Sequence, residues 1–144
     1  MTNKAKLDAS NLSTSNTNSW RSKLNIGDWV NYYAELVNST SSTTVDLSGI
    51  IPNYVSGAVY EILIGGQLEN KSGDAGSHSS LRVYSDVVGS SSNKIPLTRS
   101  TAKQTSKTYA TAGSLTIPVK QYLYIFPETV DSSNVWLYGY KRIK

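Results

Sequence analysis

Ala58-Val59-Tyr60-Glu61-Ile62-Leu63-Ile64-Gly65-Gly66-Gln67-Leu68 is the stretch that decides the fold. Its apolar residues recur with a period of two and occupy both sides of the alternation. Tyr60, Ile62 and Ile64 stand on one side, Val59 and Leu63 on the other. Such a run of β-branched and aromatic residues predicts a strand covered on both faces. Gly65-Gly66 inside it reads as the mark of a bulge. Shorter signals of the same kind lie on either side. Residues 29–36 are aromatic and extended in character, and Val45 and Leu47 alternate within 44–48. Leu81, Val83 and Tyr84 mark a further strand. Residues 115–119 alternate, with Pro118 pointing to an edge or bulge position, and 122–126 and 134–143 close the chain as two more strands. Turn-rich segments at 49–57, 70–77 and 89–93 separate them. Seven or eight short strands punctuated in this way predict an all-β chain, an antiparallel β-sandwich or jelly roll.

Composition narrows the class. Ser, Thr and Asn supply 47 of the 144 residues, only 17% are charged, and 38% are hydrophobic. A helical bundle or coiled coil would be rich in Ala, Glu, Lys and Leu instead. The chain has no cysteine, which excludes a disulfide framework and a thiolate metal site. No apolar run approaches the ~20 residues of a membrane span, so no membrane insertion is expected. Residues 1–6 lack the hydrophobic segment of a secretory signal. The net charge is +4, and residues 87–127 carry Lys94, Arg99, Lys103, Lys107 and Lys120 without an acid. These cations are too widely spaced for a surface that tracks phosphates, so a weakly basic contact face is expected and no nucleic-acid partner.

Two regions differ in character. Residues 1–28 are polar, with isolated leucines, and Asn16 or Thr17 can cap a short helix that Gly27 stops. Trp20 and Leu24 share one side of it at i,i+4, and two turns of helix do not stand alone in water, so they must dock on something. This makes 1–28 an adaptor with an extended and a helical part, and 29–144 the sandwich domain. In the two last strands both faces are apolar. Val135 and Leu137 oppose Trp136, Tyr138 and Tyr140, and Tyr122 and Tyr124 stand in a strand equally apolar on its other side. A small sandwich wets one face of each sheet. Ten Tyr against one Phe suit surfaces where a ring is covered while its hydroxyl keeps a hydrogen bond. Tyr122, Tyr124, Trp136, Tyr138 and Tyr140 are therefore expected to meet another copy of the chain. Tyr32 and Tyr33 are candidate glycan contacts by residue type, burial being the competing expectation.

Three stretches give the chain a resemblance to bacteriophage fibre-type virion proteins. The first is Leu7-Asp8-Ala9-Ser10-Asn11-Leu12-Ser13 with Trp20-Arg21-Ser22-Lys23-Leu24, similar to the leader that precedes many fibre heads. The second runs through Val45-Asp46-Leu47-Ser48, Ile51-Pro52-Asn53 and Val59-Tyr60-Glu61-Ile62-Leu63-Ile64. The third is Ala112-Gly113-Ser114-Leu115-Thr116-Ile117-Pro118-Val119 with Leu137-Tyr138-Gly139-Tyr140-Lys141-Arg142-Ile143. The resemblance implies a homotrimer located in the virion after synthesis in the host cytoplasm. It implies an N-terminal segment, carrying Leu7, Leu12, Trp20, Leu24 and Ile26, that docks on a capsid, neck or baseplate protein. It also implies a β-sandwich head able to meet a host-surface glycan. The chain departs from long fibres in having no shaft repeat, which corresponds to a short fibre or decoration spike. A monomeric carbohydrate-binding module is the competing expectation.

Catalytic signals are weak. His78 is the only imidazole and sits among serines in a chain full of them. The ten acids form no marked pair for glycoside hydrolysis. Glu61, Arg82 and Arg142 read as structural ion-pair formers. The loop Glu69-Asn70-Lys71-Ser72-Gly73-Asp74 has oxygen ligands but lacks the alternation of a calcium loop. No enzyme activity, cofactor or metal is expected.

Overall fold

The structure is a computed structural model that describes residues 27–71, 78–101 and 108–144. The expected adaptor, with Leu7, Leu12, Trp20, Leu24 and Ile26, lies outside the described residues. Eight strands follow in order among the described residues: β1 (Val30–Asn38), β2 (Thr43–Asp46), β3 (Tyr60–Lys71), β4 (His78–Ser85), β5 (Ile95–Thr101), β6 (Thr108–Val119), β7 (Tyr122–Glu128) and β8 (Ser132–Arg142). They form two antiparallel sheets of order β1-β8-β3-β6 and β2-β7-β4-β5. Every connection except the β4–β5 hairpin thus crosses to the opposite sheet, which is the jelly-roll arrangement of a β-sandwich. The expected all-β class is the fold observed.

The core lies between the sheets and follows the alternation in the sequence. Tyr60, Ile62, Ile64 and Leu68 of β3 are fully buried, opposite Leu81 and Val83 of β4 and Leu123 and Ile125 of β7. Each such side chain contributes about 1.5–3 kcal/mol on leaving water. Pro118 lies on β6, the edge strand of its sheet, where a missing N–H costs no ladder bond to a further strand. β1, the other edge of that sheet, carries two register irregularities that blunt it. The turn between β6 and β7 is clamped from the other sheet, where the Asp86 carboxylate accepts from the backbone N–H groups of Lys120, Gln121 and Tyr122 at 2.8, 2.7 and 3.0 Å.

β8 departs from the sequence expectation. Its register on β3 shifts between Leu63 and Ile64, which pair with Gly139 and Leu137 and leave Tyr138 as one extra residue. This β-bulge reverses the alternation beyond it. Tyr140 is consequently turned into the sandwich, only 4% exposed, where its ring meets Tyr32 edge-on at 6.2 Å and Tyr60 at 6.1 Å. The column continues with Tyr54 stacked on Tyr60 at 5.5 Å. Tyr140 is therefore a core residue and not part of an outer face with Trp136 and Tyr138. Burial raises its phenol pKa above the ordinary value.

The glycine pair at 65–66 sits beside this bulge instead of forming it. A Cβ on Gly65 would collide with the Tyr138 ring, and one on Gly66 would come within 2.5 Å of Leu97 and 2.7 Å of Leu81 across the core. Both positions are bare because another residue occupies the space. Gly113 is tighter still, since a Cβ there would strike the Leu97 carbonyl oxygen, a backbone atom that cannot swing away. Here β5 crosses close to β6, and Thr98 Oγ1 bonds Thr111 Oγ1 at 2.7 Å. Gly113→Ala should lower stability by about 1–3 kcal/mol, through overpacking. Gly49→Ala, with open space around the new methyl, should stay within about 0.5 kcal/mol of the parent. Urea midpoints at an unchanged m-value check the pair.

Candidate functional site

The five rings expected to form one subunit interface are divided by the fold among three places. β7 and β8 belong to opposite sheets. Tyr122 and Tyr124 face outward from the β2-β7-β4-β5 sheet, Trp136 and Tyr138 face outward from the β1-β8-β3-β6 sheet, and Tyr140 is inside. The candidate glycan pair separates for the same reason, because neighbours in a strand point to opposite sides. Tyr32 packs against the core beside Tyr140, while Tyr33 is 67% exposed.

On the β1-β8 side the outward rings gather into a patch. Tyr33 approaches Tyr138 at 5.9 Å between centroids, and Tyr138 itself is 43% exposed and seated over Gly65. Trp29, 45% exposed and just before β1, lies further along the same strands, beside Gly139 of β8. The Lys141 ammonium lies 5.2 Å from the centre of the Trp29 indole and 3.1 Å from the Glu61 carboxylate. Glu61 is thus a structural ion-pair residue, as its sequence context suggests, with Lys141 as partner. Next to the patch a shallow depression of about 350 Å³ is lined by Gly65, Gln67, Ala112, Ser114, Trp136 and Tyr138. Trp29 was legible only as the start of an aromatic run, because nothing in the sequence places it against a strand more than a hundred residues later.

The opposite sheet carries a different surface. Tyr124, Tyr84 and Phe126 form a ring ladder, with Tyr84 stacked on Tyr124 at 4.4 Å and on Phe126 at 5.5 Å. Tyr122 extends it, tilted against Tyr124 at 6.4 Å. These rings are mostly half-buried by one another, unlike the patch on the other sheet. Beyond Phe126 the surface becomes polar. Lys94 stands 4.7 Å over the Phe126 ring, and Arg82 pairs with Glu128 through a direct Nη2–Oε1 hydrogen bond. That bond, with help from Ser80 and the charge of Lys94, holds the Glu128 carboxyl below the ordinary carboxylate pKa, against a smaller opposing effect of burial. His78 Nδ1 lies 2.9 Å from Thr101 Oγ1 at the far end of this row. Among the described residues no three His, Asp or Glu side chains gather as a metal site would require.

No family model matches the chain, and no curated protein matches it. Solved structures do. The core of Drosophila NLP, whose structure concerns pentamer formation and histone binding, is 16% identical over 81% of this chain and 98% of its own, with a TM-score of 0.41. The TNF Eiger from S. frugiperda is 10% identical over 81% of this chain and 93% of its own, with a TM-score of 0.37.

The depressed Glu128 pKa sets a pH dependence. A carboxylate stabilised in the folded state contributes stability that is present above its unfolded pKa, near the ordinary 4.5, and is lost as pH falls through the lower folded value. Glu128→Gln should therefore lower the urea midpoint at pH 7, and parent and variant should converge in the acid limb below 4.5. A gap that stayed constant down to the acid limb would show that Glu128 acts through packing alone.

Proposed function

We propose that this chain is a non-enzymatic virion component: a short homotrimeric fibre or decoration spike whose head is the jelly-roll sandwich. The observation that carries self-association is the exposed patch of Trp29, Tyr33 and Tyr138, with Trp136 beside it, on the outer face of one sheet. Exposed aromatic clusters of this kind mark interaction surfaces, and Tyr and Trp are the residues enriched at interface centres. A second copy is the occupant that the local charges favour. Lys141 and Glu61 at its rim already neutralise each other, so that pair brings no net charge to a contact between identical patches. The interface assigned here comprises Trp136 and Tyr138 of the rings expected from the sequence, joined by Trp29 and Tyr33.

The virion assignment rests on the fibre-like stretches of the sequence. Gly27, which follows the anchoring segment in sequence, has its N–H bonded to the Arg142 carbonyl of β8 at 2.9 Å. Leu7, Leu12, Trp20, Leu24 and Ile26 dock it on a capsid, neck or baseplate protein. Three heads held around one axis would display weak surface contacts multivalently.

The second reading, a monomeric carbohydrate-binding module, is favoured by one feature, the depression beside Trp136 and Tyr138. Solution mass separates the two. Light scattering should return three times the 15.7 kDa chain mass, and Tyr33→Ser with Tyr138→Ser should return one chain mass with the far-ultraviolet spectrum unchanged. A parent protein at the mass of one chain would remove the spike reading. The anchor is tested apart from the head. Trp20→Ala should abolish incorporation into particles while the purified variant keeps the parent's thermal transition, and retained incorporation would place the anchor elsewhere.

A further inference from the structure

The outer face of the β2-β7-β4-β5 sheet ends in a cleft of about 460 Å³ lined by His78, Ser80, Arg82, Lys94, Pro96, Arg99, Glu128 and Thr129. We propose that this cleft binds a saccharide carrying an anionic group, a carboxylate or a phosphate, with the anion on Arg82, Lys94 and Arg99 and the sugar ring against Pro96.

The cleft is positively charged. Three cations line the cleft and Glu128 is the one carboxylate among the lining residues. Glu128 is engaged by Arg82, which leaves the remaining cationic charge without compensation inside the cleft. Arg82 also has an Nε enclosed in the protein that makes no hydrogen bond among the described residues. That enclosed nitrogen faces no open space, and it is the outer guanidinium nitrogens of Arg82 and Arg99 that offer a fork suited to carboxylate or phosphate oxygens.

An apolar ring stands beside these cations. Phe126 lies directly across from Arg82 in the β4–β7 register, and Pro96 lies across from Arg82 on the other side, in β5. Phe126 lies under the Lys94 ammonium and is stacked on Tyr84, so Pro96 is the apolar ring that the cleft itself presents beside the cations. A bare anion site does not need such a ring, whereas the C–H face of a sugar packs on one. Ser80 and Glu128, 3.3 Å apart, provide a hydroxyl and a carboxylate oxygen for sugar hydroxyls next to that row.

The backbone at the mouth of the cleft is strained. Thr129, at the rim, has φ +55°, a conformation that β-branched residues rarely hold. Its carbonyl accepts the Ser79 hydroxyl, which fixes the strained turn at the mouth of the cleft. Strain of this kind collects at binding sites, where the surrounding structure maintains it.

The assignment names a ligand class for the face that the spike reading leaves outward. It rests on that reading only for the direction in which the face is displayed. Its test is a titration of isotope-labelled full-length protein with glucuronate, glucose 6-phosphate, glucose, inorganic phosphate and a thymidylate oligomer, followed by amide chemical shifts. Glucuronate or glucose 6-phosphate should produce saturable shifts centred on Ser80, Arg82 and Thr129, and glucose should not. Lys94→Ser with Arg99→Ser should weaken that binding about tenfold or more. Tyr33→Ser with Tyr138→Ser should leave it unchanged, so a failure of self-association and a failure of the cleft are read separately. Inorganic phosphate shifting the same amides as strongly as the sugars would overturn the saccharide assignment. So would stronger binding of the oligomer, or no response to either anionic sugar.

Discussion

One extra residue in β8 governs how the molecule uses its tyrosines. Strict alternation would send Trp136, Tyr138 and Tyr140 to the same side. The bulge at Tyr138 breaks the alternation, so Tyr140 enters the core and completes the column Tyr32–Tyr140–Tyr60–Tyr54. Tyr138 then lies outward over Gly65, where the absent Cβ makes room for its ring. Interior packing and the exposed patch are thus two consequences of one insertion in the ladder. A bulge re-aims side chains in this way at little cost, because only one residue loses its pairing.

The serine-rich composition has a structural counterpart at the ends of the sandwich. Ser79, Ser85 and Ser133 are buried, and each hydroxyl donates to a backbone carbonyl elsewhere in the chain: Thr129, Pro118 and Ser39 respectively. The Ser85 oxygen also accepts from the backbone N–H groups of Val87 and Val88 at 3.1 Å each. Strand ends and tight turns leave such carbonyls and amides unpaired, and burying them without partners would be costly. Short hydroxyl side chains satisfy them where a larger polar group would not fit. A polar composition is in this way compatible with a dry interior, and the low hydrophobic fraction need not weaken the core.

The sequence was most informative where both the period and the apolar content were strong. β3, β7 and the first part of β8 follow directly from it, and the inward set Tyr60, Ile62 and Ile64 is the buried set. β5 was missed because Ile95-Pro96-Leu97-Thr98-Arg99-Ser100-Thr101 shows no alternation. A register shift against β4 makes Leu97 and Ser100, three apart, the two buried residues. The first half of β6 was missed because Thr, Ala and Gly carry almost no period. Faces were legible and sheets were not. A strand's own residues show which of them alternate, but not whether β7 and β8 share a sheet, and the proposed five-ring surface failed on that point. Ion pairing was legible as residue type only, since Arg82 and Glu128 come together through adjacent strands 46 residues apart.

Placing the two aromatic surfaces on opposite sheets has a consequence for any assembly. A sandwich is about 10 Å thick between its sheets, so a partner that covers one outer face leaves the other out of its reach. The two faces also differ in how much they need covering. The ladder of Tyr84, Tyr124 and Phe126 hides its rings in mutual stacking, whereas Tyr33 and Tyr138 meet at a tilt that leaves much of each ring in water. Hydrophobic stabilisation scales with apolar area removed from water, so association gains more at the second face than at the first. The first face offers instead fixed charges at the edge of a rigid aromatic floor, an arrangement whose value lies in orienting a small polar ligand. Division of labour between the sheets follows from ring packing and charge placement alone.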